Sequence, residues 1–162
     1  MDDLFTGDYS GAIFSPCRTW RYVLWRTWDK SQAPVMFIGL NPSTADESED
    51  DPTIRRCIGF AKSWGYGGLL MLNIFAFRAT LPEDMRKADD PVGPENNTYL
   101  KQYASEAGIV VAAWGCNGMH FNREPEVKEM IQPLYCLGVT QAGHPKHPLY
   151  LRGDLTPIPY TR

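Results

Sequence analysis

Three apolar runs divide the chain: residues 35–40 (VMFIGL), 69–76 (LLMLNIFA, interrupted by Asn73 alone) and 109–114 (IVVAAW). None alternates polar with apolar, which is the pattern of strands covered on both faces in a parallel sheet. The first run stops at Asn41-Pro42, where proline cannot donate to a ladder, and the third stops at Gly115. After the acidic stretch 46–51 and Pro52, Thr53 predicts the cap of a helix running through Ile54, Cys57, Ile58, Phe60 and Ala61 to Trp64. Residues 95–107 predict a second helix stopped by Gly108, residues 124–132 a third, and residues 134–137 a short fourth strand. Residues 78–94 and 140–152 read as loops, and residues 9–13 as a short edge strand. Residues 19–28 (TWRYVLWRTW) carry a Trp20, Val23, Leu24, Trp28 stripe that predicts a helix or broad turn, with aromatics inward and Arg18, Arg21 and Arg26 in solvent.

Strands alternating with helices predict an α/β fold, a three-layer α/β/α domain with a mostly parallel central sheet, spanning 1–162 as one domain. Such sheets bind ligands beyond the carboxyl ends of their strands. A chain of 162 residues, 43% hydrophobic, buries enough surface to fold without a metal or disulfide staple, and its content excludes disordered and collagen-like classes. No run approaches the ~18 residues of a membrane span. The opening Met1-Asp2-Asp3-Leu4-Phe5 lacks the basic and apolar segments of a signal peptide, so a cytoplasmic protein without a membrane partner is expected. A net charge of −3 argues against coating nucleic acid through bulk charge while allowing a local basic patch. Cys17, Cys57, Cys116 and Cys136 have no C-x-x-C spacing and read as reduced core thiols, with no metal and no cofactor expected.

Polar residues that interrupt this pattern are the informative ones. Asn41 closes the first run, Asn73 sits inside the second, and His147 lies in the late loop HPKHPLYLR. A buried amide without partners costs about 1–3 kcal/mol, so Asn73 needs either backbone neighbours or a ligand. Asn41 likewise reads as a turn former or a ligand group. All three fall where a doubly wound sheet places its ligand.

These segments resemble the uracil-DNA glycosylase superfamily. Gly39-Leu40-Asn41-Pro42 is similar to its first motif in the mismatch-specific branch, residues 70–79 (LMLNIFAFRA) resemble the strand bearing its base-reading asparagine, and residues 147–152 (HPLYLR) resemble its closing histidine loop. The resemblance covers about residues 34–152. The whole chain also resembles a bacterial and phage family catalogued as domain of unknown function 1643, through its LNPSTAD, DPTIRR, NIFAFRAT and HPLYL blocks.

The superfamily resemblance implies hydrolysis of an N-glycosidic bond, with Asn41 and His147 as catalytic residues. Expelling a pyrimidine anion calls for a donor at the base oxygen, the part implied for His147. Asn73 would read the edge of an extruded base. Asn41 stands where faster members carry aspartate; an amide can only orient water, so slow catalysis is implied. Ser43, small where strict uracil enzymes carry tyrosine, leaves room for a 5-substituted base. Phe75 or Phe77 would stack on the base, on the face that strand alternation shares with Asn73, with a place in the core as the commoner alternative for a strand phenylalanine. Arg55, Arg56, Arg78, Lys146 and Arg152, with His144, would meet phosphates, and Leu149 and Tyr150 are the wedge candidates. Asp46, Asp50 and Asp51 read as a solvated acidic loop rather than as a substitute carboxylate.

The expected partner is therefore nucleic acid, DNA ahead of RNA, or a nucleotide. Excision of a modified or deaminated pyrimidine leads, with action on free nucleosides or nucleotides and a non-catalytic nucleic-acid or protein binding module as alternatives. The oligomeric state is left open.

Overall fold

The computed structural model describes residues 10–161. Its elements run β1 (Ser10–Phe14), β2 (Arg21–Thr27), β3 (Pro34–Gly39), α1 (Pro52–Ser63), β4 (Gly68–Asn73), α2 (Pro82–Arg86), α3 (Asn96–Glu106), β5 (Ile109–Ala112), α4 (Arg123–Met130), β6 (Tyr135–Cys136) and β7 (Ile158–Pro159). Tyr9, placed in the expected edge strand, and the acidic opening segment lie outside the described residues.

The three apolar runs become the middle of one sheet, ordered β1-β2-β4-β3-β5-β6-β7. The four central strands β4, β3, β5 and β6 are parallel, while β1-β2, β2-β4 and β6-β7 pair antiparallel. Helices cover both faces, which explains the apolar runs: successive residues of one strand feed opposite cores. Val35, Phe37, Leu69, Met71 and Val111 pack with Ile54, Cys57 and Phe60 of α1. Met36, Ile38, Leu70, Leu72 and Val110 pack with Leu100 and Tyr103 of α3 and Val127 of α4. Each such side chain, fully buried, contributes about 1.5–3 kcal/mol of apolar transfer. The architecture is α/β, and among the described residues no helix is long and apolar enough to cross a membrane.

Residues 19–28 form neither a helix nor a turn. They contain β2, paired with β1 and β4, in which every residue but Trp25 is buried, so the polar–apolar alternation of a strand with one solvated face is missing. The arginines of this strand are not solvated either. Arg21 is 2% and Arg26 7% exposed, each donating to backbone carbonyls of the loop after β3. The α1 cap is Asp51, whose Oδ1 accepts from Ile54 N at 2.8 Å, rather than Thr53. Pro52 occupies the first helical position, and this moves the cap one residue upstream of it. Within the loop 78–94 a short helix, α2, forms, and β7 arises where no strand was expected. Cys57 and Cys136 are core thiols as expected, whereas Cys17 and Cys116 are exposed.

Candidate nucleobase cavity

From β3 the chain crosses by α1 to β4 on one side, then returns by α3 to β5 on the other. The two crossovers leave over opposite faces and open a crevice beyond the carboxyl end of β3. A cavity of about 330 Å³ occupies it. Asn41 and Ser43 reach it from the segment after β3, Asn73 from the last position of β4, and His147 from the late loop. Four side chains separated by up to 106 positions thus line one space.

Asn73 is 2% exposed, and Arg21 Nη2 donates to its Oδ1 at 3.3 Å. A guanidinium has no acceptor, so the amide oxygen must face Arg21, leaving the nitrogen as the donor. That nitrogen lies over Gly39, where a Cβ would come within 2.8 Å of it. The end of β4 is held from behind: Asn96 Nδ2 donates to Asn73 O at 2.9 Å, and the fully buried Arg123 donates Nε–H to Ile74 O at 2.7 Å.

Asn41 uses both amide hydrogens on the backbone, at Pro42 O (3.1 Å) and Ala79 O (2.7 Å). The amide nitrogen thus ties the segment after β3 to the one after β4, and only Oδ1 remains to act on a ligand or water. At the rim, His147 Nδ1 accepts the backbone N–H of Leu149 at 3.1 Å. In the neutral ring the proton accordingly resides on Nε2. His147 is an exposed residue, and the partial desolvation of its ring by the cavity wall lowers its pKa below the ordinary histidine value, while the Asp51 charge opposes that shift.

Two charged lining residues stand outside the expected set. Arg21 lies among the cavity residues with its pKa lowered to about 10, burial being the main cause; Asp51 counters it, and Arg78 and Arg26 add to it. It stays cationic at neutral pH. Asp51 also lines the cavity. The acidic loop is thus divided: Asp50 binds Arg26 Nε at 2.8 Å, Asp46 Oδ1 accepts from the Ser48 and Glu49 amides, and only Asp51 turns to the cavity. A cation inside an apolar stretch, Arg21 in TWRYVL, is the signal that could have found the first of these.

Several expected contributors lie outside the lining. Because β4 ends at Asn73, the alternation expected to bring Phe75 and Phe77 alongside it does not continue; Phe75 is fully buried in the core against His120, and Phe77 bridges to Trp20. Arg78 lies over the Phe14 ring, Arg55 donates to Asp50 O, and Arg56 lines a separate small cleft with Gly59 and Gly153. Arg152 pairs with Asp154, and His144 with the buried Glu124, which also accepts from Trp114 and Tyr160. Lys146 is exposed and Leu149 half-buried. Tyr150 is 93% exposed at φ 72°, a left-handed conformation rare for a bulky side chain.

A family model described as "Protein of unknown function (DUF1643)" matches residues 21–149. No curated protein and no solved structure matches the chain.

Proposed function

The chain belongs to the DUF1643 family, and from that premise we propose that its cavity holds a single nucleobase and that the protein is a slow N-glycosyl hydrolase releasing a modified or deaminated pyrimidine from nucleic acid, DNA ahead of RNA. The observation that carries this reading is the convergence of Asn41, Asn73 and His147 on one crevice at the strand ends. At about 330 Å³ the crevice lies at the small end of the roughly 300–1,000 Å³ range of ligand pockets, suited to one flat heterocycle.

The available groups match a pyrimidine bearing carbonyls. His147 Nε2–H and the Asn73 amide nitrogen are donors that can meet the base oxygens gaining charge as the glycosidic bond breaks. The Arg21 cation lowers the energy of that negative charge from the floor of the site. Asn41 Oδ1 accepts from a water near the sugar. Beside Ser43, whose side chain is small, a 5-substituent has room. Outside the cavity, Tyr150 is the group positioned to stack on a neighbouring base.

The test is incubation with oligonucleotides bearing uracil, 5-hydroxymethyluracil or hypoxanthine, followed by alkali to reveal abasic sites. Breaks made by the wild-type protein and lost in His147→Ala and Asn73→Ala support the reading. Breaks that persist in both variants remove these roles. A second reading, action on free nucleosides or nucleotides, draws on the absence of Arg55, Arg56, Arg78, Lys146 and Arg152 from the lining. Base release from a nucleoside without cleavage of oligonucleotides would select it.

A further inference from the structure

We propose that Asp51 is the general base of this cavity, the carboxylate that Asn41 does not supply. The inference rests on the base-release reading above. Asp51 lines the same crevice as Asn41 and His147. Its Oδ1 is fixed by the Ile54 amide at 2.8 Å at the N-terminus of α1, so the carboxylate is held in one orientation by a rigid element, and its second oxygen takes no partner among the described residues. Both amide hydrogens of Asn41 are committed to backbone carbonyls, which leaves Asn41 able to orient a water but unable to take its proton. Asp46 and Asp50 are occupied with the loop and with Arg26. Asp51 is then the carboxylate among the lining residues.

The step balances with water as the only co-reactant. The water oxygen bonds to the anomeric carbon while its proton passes to Asp51, and the bond from that carbon to the base nitrogen breaks. The electron pair leaves with the base, whose carbonyl oxygen is met by His147 Nε2–H. Asp51 returns the proton to solvent. Before water adds, the same carboxylate stabilises positive charge on the sugar. Asp51 thereby serves both as helix cap and as base, and the two roles separate chemically because asparagine and serine cap as well as aspartate does.

The experiment uses Asp51→Asn and Asp51→Ser on the full chain, with the oligonucleotide that the wild-type protein cleaves best. Thermal unfolding should be nearly unchanged in both variants, while base release falls about 100-fold or more under single-turnover conditions, the usual scale of general base catalysis. Added formate should partly restore base release in Asp51→Ser. A readout independent of turnover is the His147 titration followed by NMR, which should move to lower pH in Asp51→Asn as the opposing charge is lost. Wild-type rates in the variants, or an unmoved His147 titration, would overturn the role of Asp51 alone. No base release by the wild-type protein from any probe would overturn the base-release reading and this inference together.

Discussion

Asn73 is polar inside an apolar strand because everything around its amide is arranged for it: a cation faces its oxygen, a glycine makes space for its nitrogen, and Asn96 and Arg123 satisfy the backbone carbonyls at the strand end. Asn96→Ala leaves the Asn73 and Ile74 carbonyls without that side-chain donor in a fully buried setting. The expected loss is about 1–3 kcal/mol in urea unfolding. His147 gives a pH dependence whose sign follows from its lowered pKa. Below the unfolded value of about 6.5 the unfolded chain takes up this proton more readily than the folded one, so the stability held at neutral pH declines as pH falls through that value toward the folded pKa. Unfolding midpoints of the wild type minus those of His147→Gln, measured across this range, should show that decline; a flat difference would contradict it. That Asn41 and Asn73 line a cavity could be expected from where they end or interrupt apolar runs, whereas His147, in a polar loop, stood out only through the block that resembles a closing histidine loop. Arg21 was hidden because a charge beside tryptophans and a tyrosine looks like the solvated edge of an amphipathic segment until the covering strand is known.

Among the elements, β3, β4 and β5 were readable because a strand buried on both faces leaves a continuous apolar run. The same double burial made β2 unreadable, since its mixture of aromatics and arginines carries neither period. The junction of β3 with its loop offers a sharp test. A Cβ at Gly39 would stand 2.8 Å from both Asn73 Nδ2 and Met71 Cε, and both are ends of side chains rather than backbone. Gly39→Ala should therefore fold and yet displace the Asn73 amide. Its circular dichroism is expected to match the wild type while base release is lost; retained release would show that the Asn73 orientation is immaterial. At the start of α1, Asp51→Ala should cost about 0.5–2 kcal/mol by loss of the cap, and Asp51→Asn much less, measured by urea unfolding.

Across the molecule, Arg55, Arg78 and Arg152 are engaged by separate local partners, and none of the cations expected around the mouth lines the cavity. Under the proposed function, contact with nucleic acid would rest more on stacking than the sequence implied. Tyr150→Ala should leave stability within about 0.5 kcal/mol, as for other exposed positions, and weaken oligonucleotide binding by up to ~3 kcal/mol in a fluorescence-anisotropy titration. The order of the strands could not be read from the chain, because two crossovers in opposite directions leave no trace in local periodicity. That order brings Arg21, Asn41, Asp51, Asn73 and His147 together from both ends and the middle of the sequence. A ligand seated there fastens the amino-terminal hairpin, the sheet centre and the late loop at once, so its imprint in hydrogen exchange should be slowed opening of amides in β2 and β5 together rather than protection confined to the rim.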